Sequence, residues 1–192
     1  MRALNGQGCE ATVDVLGEFI TDLAQADATA AAYREVLERI HGENLRSNVS
    51  IKLTAFGLSL DADHCYGLVR ALVARARELG NFVRIDMEDS PVTTKTLEVY
   101  RRLRKDGFSN CGVVIQAYLR RSRDDVAAVL PLGTSFRLCK GIYVEPPEIA
   151  FKGREEIRDN YQGLLRQMLE GARSKLGSRP TTRRSSRTRA PI

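Results

Sequence analysis

Four apolar segments of this sequence each contain charged or amide side chains. They are residues 49–58, 82–88, 111–119 and 135–144, and their polar residues are Lys52, Arg84, Asp86, Glu88, Gln116, Arg137 and Lys140. A strand buried in a parallel sheet is almost wholly aliphatic, and a buried charge is costly unless it is paired or used. Ion pairs inside a barrel, or exposure on edge strands, could account for one such residue. Recurrence in four successive segments favours a functional site.

The side chains limit the chemistry of such a site. Lys52, Asp86, Gln116, Arg137 and Lys140 together carry a net positive charge, which favours an anionic ligand: a carboxylate, a phosphate or a reduced, negatively charged cofactor ring. Either lysine could form a Schiff base with a carbonyl substrate, and Asp86 could act as a general base. The spacing of the residues does not decide between these reactions.

The pattern of the whole chain indicates strands that alternate with helices. A fifth apolar run, 11–19, precedes the other four, and helical spacing occurs at 21–43, 63–79, 93–105, about 122–130 and 154–174. This alternation predicts a parallel sheet covered by helices, either a doubly wound sheet or a (β/α) barrel. The sequence lacks the glycine motifs of dinucleotide-binding and P-loop proteins. Because polar groups at strand ends are typical of barrel enzymes, we predict the barrel. Side chains alternate along a strand, so Arg84, Asp86 and Glu88 are predicted to share its interior face.

Length and composition exclude several classes of protein. The 192 residues suffice for one domain with a sizeable core. There is no run of about 18 uncharged apolar residues, and the N-terminus lacks the apolar centre of a secretory signal. The four cysteines and two histidines lack the spacing of a zinc site, and isolated thiols fit a reducing compartment. We therefore expect no metal site, and no nucleophile elbow supports a catalytic triad.

The net charge of +6 comes from the end of the sequence. Residues 173–192 contain seven Lys and Arg and no acid, whereas the remaining residues include 23 basic and 24 acidic side chains. Such a tail can bind nucleic acid or an anionic membrane. A segment so poor in apolar residues also buries too little surface to fold. We predict a disordered Ser/Thr/Arg-rich tail at 177–192 and no nucleic-acid partner, with binding through the tail as the alternative.

Five short motifs occur along the chain in the order D-V-L-G-E, S-I-K-L-T, R-I-D-M-E, V-I-Q-A-Y-L and R-L-C-K-G-I-Y, at 14–18, 50–54, 84–88, 114–119 and 137–143. Together they resemble the strand motifs of the proline dehydrogenase family, in particular its bacterial monofunctional members. The resemblance covers roughly residues 3–172. It implies a distorted (β/α)8 barrel that oxidises L-proline to Δ1-pyrroline-5-carboxylate and passes electrons from FAD to a quinone.

The resemblance assigns substrate and catalytic roles to four residues. Lys52 matches the family's lysine that meets the proline carboxylate, and Tyr143 matches the aromatic residue that closes on the substrate. Asp86 matches the aspartate beside the substrate. Arg137 matches the arginine near the N5 edge of the flavin, where a cation can stabilise the reduced, anionic ring.

The same resemblance implies FAD contacts for Met87, Gln116, Arg137, Lys140, Gly141 and Ile142. A glycine at position 141 would let the backbone approach the cofactor closely. Position 142 departs from the family, which usually has Ala there, and we expect the bulkier Ile142 to crowd the pocket.

The resemblance ends near Leu176. Family members continue with three more strands and a final helix that carries an Arg-Arg pair, neither of which 177–192 resembles. We therefore expect a partial barrel domain at 1–176, with about five β/α units, followed by a tail that a shift of reading frame would explain. Because an open five-stranded sheet exposes its edges and interior face, we expect the chain on its own to be unstable or inactive. The resemblance implies a bacterial cytoplasmic protein and leaves peripheral membrane association and a mitochondrial matrix origin open.

Overall fold

The computed structural model describes residues 1–177, which form a sheet of five parallel strands. The strands are β1 (Ala11–Asp14), β2 (Ser47–Ile51), β3 (Val83–Ile85), β4 (Cys111–Gln116) and β5 (Ser135–Cys139). They lie in chain order, and each pairs in parallel with the next. A doubly wound sheet reverses its strand order at a switch point, whereas a TIM-type barrel keeps sequential order. The predicted barrel-type α/β fold is therefore confirmed.

A helix follows each strand, and a short helix precedes the first. The helices are α1 (Arg2–Gly6), α2 (Leu23–Gly42), α3 (Ala62–Glu78), α4 (Ser90–Lys105), α5 (Ser122–Val129) and α6 (Arg154–Gly177). All five helices predicted from the sequence are present.

Asp61 Oδ1 accepts hydrogen bonds from the N–H groups of Asp63 and His64, each at 2.9 Å, and Asp22 caps α2 in the same way through Ala24 N–H. These caps determine where α2 and α3 begin. Residues 178–192, which include most of the predicted tail, lie outside the described residues.

The hydrophobic core lies between the sheet and the helices. Alternate strand residues on this face are fully buried, namely Val49, Ile51, Val83, Ile85 and Val113, and they belong to one cluster with helix residues such as Leu37 and Val69. Burial of each such side chain contributes about 1.5–3 kcal/mol. Because side chains alternate along a strand, the opposite face carries polar residues, among them Ser50 and Arg137. The hydrophobic core therefore covers one face of the sheet, and the polar side chains lie on the opposite face.

The strands end earlier than the apolar runs that predicted them. β2, β3 and β5 each stop one residue before Lys52, Asp86 and Lys140 respectively. The sequence placed these three side chains within the strand-like runs, whereas the strands end just before them. Their backbone still follows the sheet: Lys52 has extended angles (φ −108°, ψ 123°), and Asp86 N–H donates to Ile51 O at 2.8 Å. A 3-10 turn, Leu53–Phe56, follows β2 directly. Lys52, Asp86 and Lys140 therefore lie directly after the carboxyl ends of β2, β3 and β5, whereas Arg84 and Arg137 lie within strands.

β1 and β5 are the two edges of the sheet within residues 1–177, since each pairs with one neighbour only. The sheet is therefore open, as expected for five strands, and its polar face is accessible from solvent. In the same part of the chain, no helix combines the length and the apolar character needed to cross a bilayer.

Candidate functional site

A cavity of about 640 Å³ opens on the polar face of the sheet, at the carboxyl ends of β2 to β5. All the residues that the sequence assigned to a site line it: Lys52, Asp86, Met87, Gln116, Arg137, Lys140, Gly141, Ile142 and Tyr143. Glu18, Val114 and Cys139 also contribute to the lining. Barrel enzymes place their chemistry at the carboxyl ends of parallel strands, because side chains from several strands converge there. The fold thus brings the predicted residues together, while their individual roles stay predictions.

Lys52 is held by carboxylates of β1 and of the loop that follows it. Its Nζ lies 2.6 Å from Glu18 Oε1 and 3.8 Å from Asp14 Oδ2. The hydrogen bond to Glu18 raises the pKa of Lys52 above its ordinary value, against the opposing effect of partial burial. The amine is therefore protonated at neutral pH, which suits recognition of a carboxylate. Sequence reasoning missed Glu18, although it ends the D-V-L-G-E motif.

Asp86 joins β2, β3 and β5 through polar contacts. Ser50 Oγ donates to Asp86 Oδ1 at 2.6 Å, and the Arg137 guanidinium pairs with the same oxygen. Burial raises the pKa of Asp86, while the Ser50 hydrogen bond and the Arg137 charge oppose the increase. The Asp86 side chain is 17% exposed and that of Arg137 is 44% exposed. The carboxylate is therefore oriented by two strands other than its own, next to the cavity.

Arg84 lies on the same face as Asp86, as the alternation predicts, but it does not line the cavity. Its guanidinium reaches across β4 to β5, where Nη1 donates to Ser135 O at 2.6 Å. Gly112 of β4 makes this crossing possible, because a Cβ at that position would overlap the guanidinium. Arg84 therefore ties β3 to β5 and has a structural role.

Glu88 lies beyond β3 and is fully buried. Its Oε1 accepts from Thr54 N–H at 3.0 Å, its Oε2 accepts from the Thr54 hydroxyl, and Gln116 Nε2 donates to its backbone carbonyl at 2.8 Å. Thr54 Oγ1 in turn accepts from Phe19 N–H at 3.2 Å. Burial raises the pKa of Glu88, and the two Thr54 hydrogen bonds oppose the increase. One carboxylate thus links the ends of β2 and β3 and, through Thr54, the loop after β1.

Tyr33 of α2 supports the ends of β1 and β2. Its hydroxyl lies 2.8 Å from Asp14 Oδ1 and 2.7 Å from Ser50 O, and it accepts from Val15 N–H at 3.1 Å. The side chain is 1% exposed, and burial raises its pKa well above the usual value. Sequence reasoning missed Tyr33, because a tyrosine in an amphipathic helix is ordinarily a core residue.

The loop after β5 carries Lys140, Gly141, Ile142 and Tyr143. Gly141 has a φ of +110°, and a Cβ there would overlap the ring of Tyr118. The structure therefore gives a packing reason for this glycine, in addition to the expected approach of a cofactor. Ile142 is 85% exposed and lines the cavity, so the expectation that its bulk crowds the pocket stays a prediction. Burial and nearby carboxylates raise the pKa of Tyr143, which keeps the phenol neutral.

The lining combines apolar surface with a net positive charge, which suits a ligand that has apolar parts and negative charge. Met87, Val114 and Tyr143 supply apolar surface. The charged lining residues are three cations and two carboxylates, namely Lys52, Arg137, Lys140, Glu18 and Asp86. Lys140 makes no ion pair with any side chain that the structure describes, residues 1–171, so its charge is available to a ligand. Over the same residues, no group of His, Cys, Asp and Glu side chains could hold a metal ion.

The family model for Proline dehydrogenase matches residues 1–173. The chain belongs to the proline dehydrogenase family. The match confirms the family that the five ordered motifs indicated, and it covers every residue that lines the cavity.

Two curated proline dehydrogenases show the extent of the similarity. Proline dehydrogenase 2 of Bacillus subtilis (strain 168) is 34% identical over 169 residues, with 88% of this chain and 55% of that protein covered. Proline dehydrogenase of Deinococcus radiodurans is 34% identical over 174 residues, with 88% of this chain and 56% of that protein covered. The chain thus spans about half the length of the curated relatives it matches.

Solved structures of proline utilization A share the fold. The protein from Bdellovibrio bacteriovorus, inactivated by N-propargylglycine, matches with a TM-score of 0.80 and 25% identity, over 90% of this chain and 23% of that chain. Proline utilization A with proline bound in remote sites matches with a TM-score of 0.76 and 21% identity, over 84% of this chain and 20% of that chain. At that identity the second match concerns the fold alone.

Proposed function

We propose that the cavity serves the oxidation of L-proline to Δ1-pyrroline-5-carboxylate, with FAD as the cofactor. The observation that carries this proposal is the convergence of all the motif residues on one cavity at the strand ends. Membership of the proline dehydrogenase family supports the class of reaction. The charges and hydrogen bonds of the lining support the role of each residue.

We assign Lys52 to the carboxylate of proline. Its protonated amine lines the cavity and already contacts one carboxylate, that of Glu18, so a ligand carboxylate would bind in place of Glu18 or beside it. Asp86, oriented by Ser50, lies next to the substrate in this assignment. Tyr143, whose raised pKa keeps it neutral, covers the substrate without adding charge.

Bound FAD would supply the hydride acceptor that the oxidation of proline needs. The residues we assign to its binding are Met87, Gln116, Arg137, Lys140, Gly141 and Ile142. Met87 is 6% exposed and offers a fixed apolar surface, and the amide of Gln116 is oriented by the carbonyl of Glu88. Arg137 and Lys140 place two cations on the β5 side of the cavity, where fixed positive charge stabilises negative charge that develops in a ligand.

We extend the proposal to a quinone as the final electron acceptor and to a bacterial cytoplasmic location with peripheral contact to a membrane, on the resemblance alone. A Schiff-base reaction at Lys52 has less support, because that reaction needs a neutral amine and the Glu18 hydrogen bond raises the pKa of Lys52. The alternative function, binding through the basic tail, depends mainly on residues that lie outside 1–177, so the described contacts do not bear on it.

The test is the absorption spectrum of the purified chain with added FAD, before and after addition of L-proline under anaerobic conditions. A bound flavin spectrum that proline bleaches supports the proposal and contradicts the expectation that this chain on its own is inactive. Flavin that binds but is not bleached supports the cofactor assignment and contradicts turnover by this chain. A chain that takes up no flavin contradicts the cofactor assignment.

The substitution Lys52→Met tests the substrate assignment. We expect a KM for proline about 10- to 100-fold higher, because a charge-assisted hydrogen bond contributes roughly 1.5–3 kcal/mol, and unchanged flavin binding. Lys95→Met is the matched control, since Lys95 is an exposed lysine of α4. Equal KM values for the two variants would contradict the assignment.

A further inference from the structure

The loop between β5 and α6, residues 140–153, is weakly attached where it passes the cavity. Ile142 and Val144 are 85% and 98% exposed. Residues 142–144 form no hydrogen bond to the backbone of residues 1–177 or to the side chains described there, those of residues 1–171. Before this stretch, Tyr118 N–H donates to Lys140 O at 2.8 Å. The position of Tyr143 therefore depends on where the loop is next fastened.

The next attachment is the side chain of Glu145, which is 6% exposed. Its Oε1 accepts from Ser90 N–H at 2.6 Å, and its Oε2 accepts from Ser90 Oγ at 2.7 Å. Its backbone carbonyl accepts from Lys152 Nζ, which holds the other end of the same loop. Glu145 thus connects the loop to a residue 55 positions earlier in the chain.

Ser90 is the first residue of α4, so Glu145 also caps that helix. The first N–H groups of a helix lack partners within the helix, and Asp89, at the N-cap position, makes no side-chain cap hydrogen bond. Glu145 supplies this acceptor from a distant segment, and a negative charge at a helix N-terminus is favourable. Capping of α4 and attachment of the loop are therefore one contact.

We propose that Glu145 is a positioning residue of the site: it anchors the β5–α6 loop to the N-terminus of α4 and thereby holds Tyr143 against the cavity. The anchor follows from geometry alone. Its consequence for the substrate rests on the proposed function, in which Tyr143 covers proline. Sequence reasoning gave Glu145 no role.

Limited digestion of the folded chain with chymotrypsin tests the anchor without any need for activity. The quantity measured is the rate of cleavage after Tyr143 divided by the rate after Phe19, an aromatic residue of another loop that is 49% exposed. Global unfolding raises both rates, so the ratio reports the β5–α6 loop alone. We expect Glu145→Ala to raise this ratio about tenfold, because two hydrogen bonds to a buried charge are lost.

Three further variants define the result. Glu145→Gln keeps an oxygen that accepts from Ser90 N–H, and Ser90→Ala keeps that N–H but loses the hydroxyl. Because each variant removes only part of the contact, we expect each to raise the ratio of cleavage rates by about threefold. Glu148→Ala is the control: its exposed side chain lies in the same loop and makes no hydrogen bond or ion pair within residues 1–177, so the ratio stays unchanged. An unchanged ratio in Glu145→Ala, or an equal rise in Glu148→Ala, overturns the proposal. If Glu145→Ala does not fold, an unchanged ratio in Ser90→Ala does the same.

Kinetics test the consequence for the substrate. We expect Glu145→Ala to raise the KM for proline about tenfold and to change kcat less than twofold, since loss of binding that is equal in ground and transition states raises KM alone. A fall in kcat at constant KM contradicts the positioning role. If the unchanged chain does not oxidise proline, turnover by this chain is contradicted, while the digestion experiment still decides whether Glu145 is the anchor.

Discussion

Glu88 and Glu145 make the same kind of contact at two places in the site. Each carboxylate accepts one backbone N–H and one hydroxyl from a single partner residue, Thr54 for Glu88 and Ser90 for Glu145. Both glutamates are buried, at 0% and 6% exposure respectively. Since the two contacts are alike, their different consequences must come from their surroundings.

The surroundings differ in packing. Around Glu88, Leu53, Thr54 and Gln116 are at most 2% exposed, so that region is held by packing as well as by hydrogen bonds. Glu145 instead follows residues 142–144, which form no hydrogen bond within the described part of the chain, and Val144 is 98% exposed. We infer that loss of the Glu88 contact destabilises the whole fold, whereas loss of the Glu145 contact has a local effect: it releases the loop and removes an acceptor from the N-terminus of α4. Whether the loss of a buried carboxylate's hydrogen bonds destabilises the whole fold or one segment therefore depends on how well the rest of that segment is packed.

The largest effect on stability is expected for Thr54→Val. The substitution keeps the shape of the side chain but removes the hydroxyl that donates to Glu88 Oε2 and accepts from Phe19 N–H. We expect the free energy of unfolding to fall by about 3 kcal/mol, since buried Glu88 Oε2 and the N–H of Phe19 both lose their hydrogen-bond partner while Glu88 Oε1 keeps the Thr54 N–H. Urea denaturation measures the change. Thr54→Ser keeps the hydroxyl and is expected to cost about 1 kcal/mol; equal losses for the two variants would show that packing, not the hydrogen bond, matters here.

A smaller loss is expected for Gly141→Ala in the β5–α6 loop. The added Cβ meets the Tyr118 ring, and the residue has a φ of +110° that an L side chain rarely adopts. We expect the free energy of unfolding to fall by about 2 kcal/mol. Gly67→Ala is the matched control, because no atom lies within 4 Å of its Cβ position in α3 and alanine is favoured there by about 0.5–1 kcal/mol. An unchanged free energy of unfolding in Gly141→Ala would indicate that the loop can shift at little energetic cost. The conformation of the loop would then depend even less on the rest of the fold than we infer.

The smallest effect is a change in the pH dependence of stability in Asp86→Asn. Burial raises the pKa of Asp86 in the folded chain, so the folded state binds this proton more tightly than the unfolded state. The resulting stabilisation is fully present below the unfolded pKa of about 3.9 and is lost as pH rises through the raised folded pKa. The unfolding free energy of the unchanged chain minus that of Asp86→Asn should therefore fall as the pH is raised from acid to neutral. A difference that rises with pH contradicts this, and would show that the Arg137 pair outweighs burial.

Much of the candidate site could be predicted from the sequence, because its residues stand in or directly after apolar runs. Gln116 and Arg137 lie in strands as expected, and the ordered motifs placed Lys52, Asp86 and Tyr143 in one site. The contacts that orient them could not be predicted. Ser50 is 36 positions from Asp86, and the partner of Glu145 is 55 positions away, so neither pairing leaves a local pattern in the sequence.

By itself, the sequence determined the alternation of strands and helices, the residue types of the site and the family, since each of these is a local or an ordered pattern along the chain. The tertiary structure alone decided three matters. It showed that the strands lie in chain order, that Lys52, Asp86 and Lys140 stand just beyond strand ends, and that two buried glutamates fasten the segments around the cavity. The physical reason is that side-chain alternation and helix capping act over a few residues, whereas a buried carboxylate finds its donors wherever packing brings them.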